Sequence, residues 1–164
     1  MNLEIEQLAK ELEQKAEADK VGRILIGVVA ELDKKILLIQ RSDQDDFLPG
    51  YFEIPGGKLD QGENILAGAK REFHEETGLE VLKMSDYIGS FDAISPDGKN
   101  VRQFNFLVEP VNNHVKLSSE HSKYIWWNIN DENSLNSFRL IEAMKDVIQK
   151  AVTQIKKEAP LYHN

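Results

Sequence analysis

The run RILIGVVAEL, residues 23–32, limits the possible folds more than any other stretch of the chain. It is rich in β-branched residues, and several consecutive positions are apolar on both faces of the strand it predicts. Such a strand belongs at the centre of a sheet that is covered on both sides. KILLIQR, 35–41, follows across the polar Asp33-Lys34, so the two runs predict a hairpin. Further strands are predicted over 80–93 and 100–109, joined by the turn Ser95-Pro96-Asp97-Gly98, and over 124–129. Helices are predicted over 2–19, over about 64–77 and from Phe138 to Lys157. In the last of these Leu140, Ile141, Met144, Val147, Ile148, Ala151, Val152 and Ile155 recur at i, i+3, i+4 and i+7. The order α-β-β-loop-α-β-β-β-α predicts an α+β fold of the α/β/α sandwich type, a mixed sheet with helices on both faces. One domain is expected over 1–164, with 1–20 as an N-terminal helical extension.

Bulk properties narrow the function. The 164 residues suit one core, and 41% hydrophobic with 29% charged residues suits a soluble globular chain. No apolar run approaches the roughly 18 residues that cross a bilayer, and the acidic start MNLEIEQLAKELEQ is no secretory signal. Cysteine is absent, which removes disulfides, thiolate nucleophiles and Cys-based zinc sites. A cytoplasmic protein without membrane association is expected. The net charge of −8 repels duplex nucleic acid. An acidic protein that acts on small phosphorylated ligands is expected to need a metal, because a bound divalent cation inverts the local charge.

The stretch GGKLDQGENILAGAKREFHEETGL, 56–79, carries the chemistry. On a helix, Glu72, Glu75 and Glu76 share an arc of roughly 100°, while Ala69 and Phe73 turn towards the core. The acidic stripe therefore borders the buried face. Like charges at i+3 and i+4 repel, and more so when partly desolvated. A hard divalent ion, Mg²⁺ or Mn²⁺, takes carboxylate oxygens and would relieve that repulsion. A solvated surface helix with Lys70 and Arg71 as counter-charges is the competing explanation.

Gly57, five residues, Glu63, seven residues and then Arg71-Glu72-Phe73-His74-Glu75-Glu76-Thr77-Gly78-Leu79 match the Nudix box, G-x5-E-x7-R-E-U-x-E-E-x-G-U with U bulky and apolar. Seven fixed residues at roughly 7% each would coincide about once in 10⁸ windows, so chance does not explain the match. The likeness extends over about 22–155, and the chain is identified as resembling the Nudix hydrolases. That resemblance implies a Nudix-type mixed sheet flanked by helices. It also implies a Mg²⁺- or Mn²⁺-dependent pyrophosphohydrolase that cleaves the diphosphate of a nucleoside diphosphate linked to a moiety X, by water attack. Glu72 and Glu76 correspond to the main metal ligands, with the Gly57 carbonyl beside them. Glu75 corresponds to a further ligand or the base. Arg71 pairs with Glu63 and orients the helix. The family also places its base on a late loop, and Glu120 in LSSEHSKYIWW occupies one; His121 beside it reads as a local hydrogen-bonding residue.

Substrate-gripping candidates are Arg41, Arg23, Arg102 and Glu53, and each arginine reads equally well as a surface salt-bridge partner. Phe47, Tyr51 and Phe52 are aromatic candidates for a base platform, with core packing the competing role. A small-molecule nucleotide is the expected partner and a homodimer is open. Substrate readings lean to nucleoside triphosphates. The alternatives are an ADP-ribose or dinucleotide pyrophosphatase, and a non-catalytic nucleotide-sensing Nudix domain.

Overall fold

Strand β1 (Arg23–Leu32) lies inside the sheet, as its two apolar faces require. In the computed structural model, which describes residues 2–158, Val28, Val29 and Ala30 are all 0% exposed. Met1 and 159–164, which the sequence analysis includes in the domain, lie outside the described residues. β2 (Lys35–Arg41) returns antiparallel to β1 across the turn at Asp33 and Lys34. Both turn residues have positive φ (52° and 60°), the left-handed conformation that a tight hairpin turn demands. β5 (Val81–Ile94) and β6 (Asn100–Pro110) form the second hairpin around 95–98, and β6 runs parallel to β1 from Arg23 to Ala30. The strand order is β3-β2-β1-β6-β5, with β3 (Phe52–Glu53) on β2. Two strands branch from this path: β4 (Gly56–Lys58) pairs with β1 and β7 (His121–Asn128) pairs with β2.

Side-chain alternation along β1 sorts the core into two layers. Ile26, Val28 and Ala30 pack with helix α1 (Leu3–Ala18) and helix α2 (Ile65–Thr77), through Ile5, Ala9, Ile65, Ala69 and Phe73. Val29, with Ile36 and Leu38 of β2, packs on helix α3 (Glu142–Glu158) through Val147, Ile148 and Ala151. This is the expected α/β/α sandwich. Phe73 is fully buried, and its truncation to Ala would cost about 3–5 kcal/mol. The expected N-terminal extension is a helix whose Ile5, Ala9 and Ala16 belong to the first core layer.

Two elements depart from expectation. The third helix begins at Glu142, not Phe138, and 132–137 form a short 3-10 turn. Phe138 is extended, with φ −86° and ψ 139°. Its ring meets Phe52 edge-on at 5.0 Å, and the Arg139 carbonyl accepts a hydrogen bond from Phe52 N–H at 2.8 Å. Pairing with β3 takes the backbone that the apolar spacing assigned to a helix. The short strands β3 and β4 were not expected, and together they carry the chain from β2 to the start of α2.

Candidate metal and active site

The sheet's branching builds the site. β1 shares one edge between two partners: Leu25, Ile26 and Gly27 pair with β4, and Glu31 and Leu32 pair with β2. β4 therefore lies beside the middle of the sheet and delivers Gly56 and Gly57 to the face of α2. The helix is fixed at both ends. Asn64 caps its start by accepting from Ala67 N–H at 2.8 Å, and Gly78 ends it with φ 69°, its N–H donating to His74 O at 2.8 Å.

Glu76 projects from the core side of α2 and is only 7% exposed. Its Oε2 accepts from Gly56 N–H at 2.9 Å. Burial, with the neighbouring carboxylates of Glu53, Glu72 and Glu120, outweighs that bond and pushes its pKa up to about 9. Glu72 lies against β4, where a Cβ at Gly57 would collide with its carboxylate. Only glycine lets strand and carboxylate approach this closely. Burial also raises the Glu72 pKa, despite the Arg71 guanidinium 2.8 Å away.

Arg71 is the brace. Its Nε and Nη2 hold Glu63 at 2.8 and 2.9 Å, Nη1 reaches Glu72 at 2.8 Å, and Nη2 donates to the Lys58 carbonyl at 2.9 Å. The paired bonds to Arg71 hold the Glu63 carboxyl below its usual range, and they hold the proton on Arg71 more firmly than usual. Glu75 lies on the outer side of this arrangement. Its side chain is 56% exposed and rests 3.3 Å from Arg71.

A second wall comes from β2 and β7. Their register shifts between Gln40 and Arg41, which sets Arg41 opposite His121. The segment before β7 is tied in by backbone bonds: Ser118 N–H to Glu76 O at 3.3 Å and Ser42 N–H to Glu120 O at 3.0 Å. Glu53 on β3 joins the two sides, meeting Arg41 Nη1 at 3.2 Å and His121 Nε2 at 2.8 Å. Arg41 also holds Asp45 at 2.6 Å and donates to the Phe47 carbonyl at 2.8 Å. One ring nitrogen of His121 and one carboxylate oxygen each from Glu76 and Glu120 lie within 4.8 Å of one another. His121 Nδ1 is buried with no hydrogen-bond partner among the described residues.

These donors fit a divalent cation. Carboxylates converge from α2 and the 118–121 segment, and burial raises the pKa of Glu72 and Glu76 among them. Glu76 and Glu120 could hold the ion, with Glu72 close enough to act on the charge of Glu76, and the Gly57 carbonyl is the further oxygen expected from the sequence.

The structure thus brings together Gly57, Glu72, Glu76, Glu120 and Glu53, braced by Arg71, Glu63 and Arg41. It does not bring Arg23 or Arg102 into that group. Arg23 pairs with Asp97 in the 95–98 turn at 3.1 Å, and Arg102 pairs with Asp92 at 2.7 Å and Asp19 at 2.8 Å. Both are salt-bridge residues because carboxylates stand directly opposite them. Phe52 packs on Phe138, whereas Phe47 stays 50% exposed with the Arg41 guanidinium 5.6 Å from its ring centre. Sequence reasoning missed the place of His121 and Asp45. His121 is a hydrogen-bonding residue, as expected, but its bond reaches Glu53 from a distant part of the chain. Only the β2–β7 pairing could have disclosed that.

Comparison with known proteins agrees with this geometry. Residues 22–150 match the model of the NUDIX domain. An uncharacterized Nudix hydrolase, YvcI of Bacillus subtilis, is 30% identical over 111 residues, covering 65% of this chain and 66% of that protein. An ADP-ribose pyrophosphatase of Methanocaldococcus jannaschii is 27% identical over 109 residues, covering 66% of this chain and 63% of that protein. An 8-oxo-dGTP diphosphatase of Buchnera aphidicola is 28% identical over 112 residues, covering 68% and 81%. The crystal structure of a MutT protein from Methanosarcina mazei superposes with a TM-score of 0.69 at 27% identity, covering 83% of this chain and 96% of that one. The matches span less than two thirds of the first two relatives' own lengths. With a NUDIX-domain match over most of its length, and the box residues gathered where α2 meets β4, this chain belongs to the Nudix family.

Proposed function

We propose that the chain is a divalent-metal-dependent pyrophosphohydrolase that cleaves the diphosphate bond of a nucleoside diphosphate linked to X, with nucleoside triphosphates as the leading substrate class. One observation carries the reading: the buried Glu76 stands with Glu120 and His121, their ligand atoms within 4.8 Å of one another, in a setting where burial favours an added cation. A divalent ion bound there would offset the charge of the diphosphate and lower the pKa of an attacking water. The chain's own residues hold that arrangement in place. Gly56 N–H orients Glu76, Gly57 makes room for Glu72, and Arg71 ties Glu72 to Glu63 and to the Lys58 carbonyl. Arg41 fixes Glu53, which in turn fixes His121. The water's proton goes to a carboxylate, with Glu75 and Glu120 as the two candidates.

The triphosphate reading is supported by the likeness to an 8-oxo-dGTP diphosphatase and to a MutT protein. An ADP-ribose pyrophosphatase activity is the second reading, favoured by the Methanocaldococcus relative of that name. A purely nucleotide-sensing domain is disfavoured because every box carboxylate is present. The setting is read as cytoplasmic, with a small nucleotide as partner. The test is a panel of nucleoside triphosphates, ADP-ribose and dinucleotides incubated with Mg²⁺, with products identified by mass. Pyrophosphate from a triphosphate establishes the first reading, and AMP with ribose phosphate establishes the second. No turnover on any member would overturn both in favour of sensing.

A further inference from the structure

We propose that His121 is itself a metal ligand: its Nδ1 joins Glu76 and Glu120 around one ion, giving this site a nitrogen donor and a preference for first-row transition ions over Mg²⁺. The inference rests on the divalent-ion reading above and adds a donor to it.

Three observations carry it. First, a ring nitrogen of His121 and carboxylate oxygens of Glu76 and Glu120 lie within 4.8 Å of one another. Donors at about 2.1 Å from an ion are at most about 4.2 Å apart, so the three close on one ion with movements of about half an ångström. Second, the His121 side chain is 2% exposed, and its Nδ1 is buried without a hydrogen-bond partner among the described residues. Buried polar atoms are nearly always partnered, so an orphaned Nδ1 on a side chain that borders Glu76 and Glu120 is accounted for by a bound ion. A proton on Nδ1 would likewise have no acceptor, so that nitrogen presents its lone pair. Third, Nε2 is held by Glu53 Oε1 at 2.8 Å, and Glu53 is itself held by Arg41 at 3.2 Å. A metal-binding imidazole almost always gives its other N–H to a carboxylate, a backbone carbonyl or a water, which fixes the tautomer and strengthens the donor. Arg41, Glu53 and His121 form that chain here, across three strands. Magnesium takes oxygen donors, whereas imidazole nitrogen favours the later first-row ions, so the mixed set shifts selectivity towards them. It also assigns Glu120 to the ion, which leaves Glu75 as the proton acceptor.

The test reads the metal and not turnover. Mn²⁺ bound to the full chain is examined by pulsed EPR, with and without ¹⁵N-histidine labelling. The wild-type chain is expected to show a directly coordinated nitrogen that changes with the label, and the signal is expected to vanish in His121→Gln. In that variant the ratio of Co²⁺ to Mg²⁺ affinity is expected to fall about tenfold. Glu53→Gln should keep the nitrogen signal and weaken Co²⁺ binding about tenfold. The wild-type spectrum needs no variant, so a poorly folded His121→Gln leaves the test intact. Mn²⁺ bound without coordinated nitrogen, or an unchanged Co²⁺ to Mg²⁺ ratio in a folded His121→Gln, overturns this inference alone. Failure to bind any divalent ion overturns the metal reading beneath it.

Discussion

Two arginines in this molecule are each surrounded by carboxylates, and they end in opposite electrostatic states. Arg102 holds Asp92 and Asp19 on the sheet surface. There the hydrogen bonds from the guanidinium lower the pKa of both carboxyls, and Lys15, 3.5 Å from Asp19, completes the charge balance. Arg71 holds Glu63, Glu72 and Glu75 beside the buried Glu76, and charge is not balanced. Glu63 is lowered, but Glu72 and Glu76 are raised because burial exceeds what one guanidinium compensates. The first cluster ties helix α1 to the sheet through Asp19. The second has more carboxylates than its one guanidinium compensates, and either a proton on Glu76 or an added cation relaxes it.

Substitutions that strip one cluster at a time break this comparison most cleanly. Glu76→Gln should have the largest effect. A residue that only braces a metal ligand is worth about 10–100-fold, so losing the ligand should lower kcat by more than about a hundredfold with circular dichroism unchanged. Near-normal turnover would end the metal assignment. Arg71→Ala should lower kcat/KM by about 10–100-fold, because Glu72 and Glu63 lose their common tether, and steady-state kinetics would show it. Arg102→Ala should leave kcat within about twofold and lower Tm by a few degrees at most, as befits exposed ion pairs. A large kcat loss in Arg102→Ala would return that residue to the substrate.

The same contrast predicts a pH dependence. Glu76 has a folded pKa of about 9 against an ordinary value of 4.5. Between those values the folded chain binds more protons than the unfolded chain, so stability falls as pH rises through that window. The Tm of the metal-free chain should therefore drop between pH 5 and pH 9 by at least about 2–4 °C. The Glu76→Gln variant should lose that part of the slope. Asp19 and Asp92 have lowered values and contribute the opposite sign, with stability lost only as pH falls through the acid range.

Much of this was legible before the fold was known, for physical reasons. The edges of β1 and β2 follow from β-branched runs broken by Asp33 and Lys34. Helix α2 follows from Asn64 and Gly78 at its ends. The box glutamates are local, three and four residues apart on one helix, so spacing alone gathers them. The start of α3 was hidden because Phe138 and Arg139 answer to Phe52, far away in sequence. β3 and β4 are too short to show a period. The Arg41–Glu53–His121 chain depends on the β2–β7 register and its shift at Gln40 and Arg41, which no local pattern encodes. For Arg23 and Arg102 the sequence left phosphate binding and salt bridges both open for the same reason: the facing Asp97, Asp92 and Asp19 are distant or unremarkable in sequence.

Calorimetric titration of the metal-free chain with Mg²⁺ at pH 7.5, in two buffers of different ionisation enthalpy, tests the central claim most directly. If Glu76 is held protonated by burial until a cation arrives, binding should release close to one proton, and Glu76→Gln should abolish that release. Mg²⁺ binding with no proton released, or with the same release in Glu76→Gln, would contradict the account.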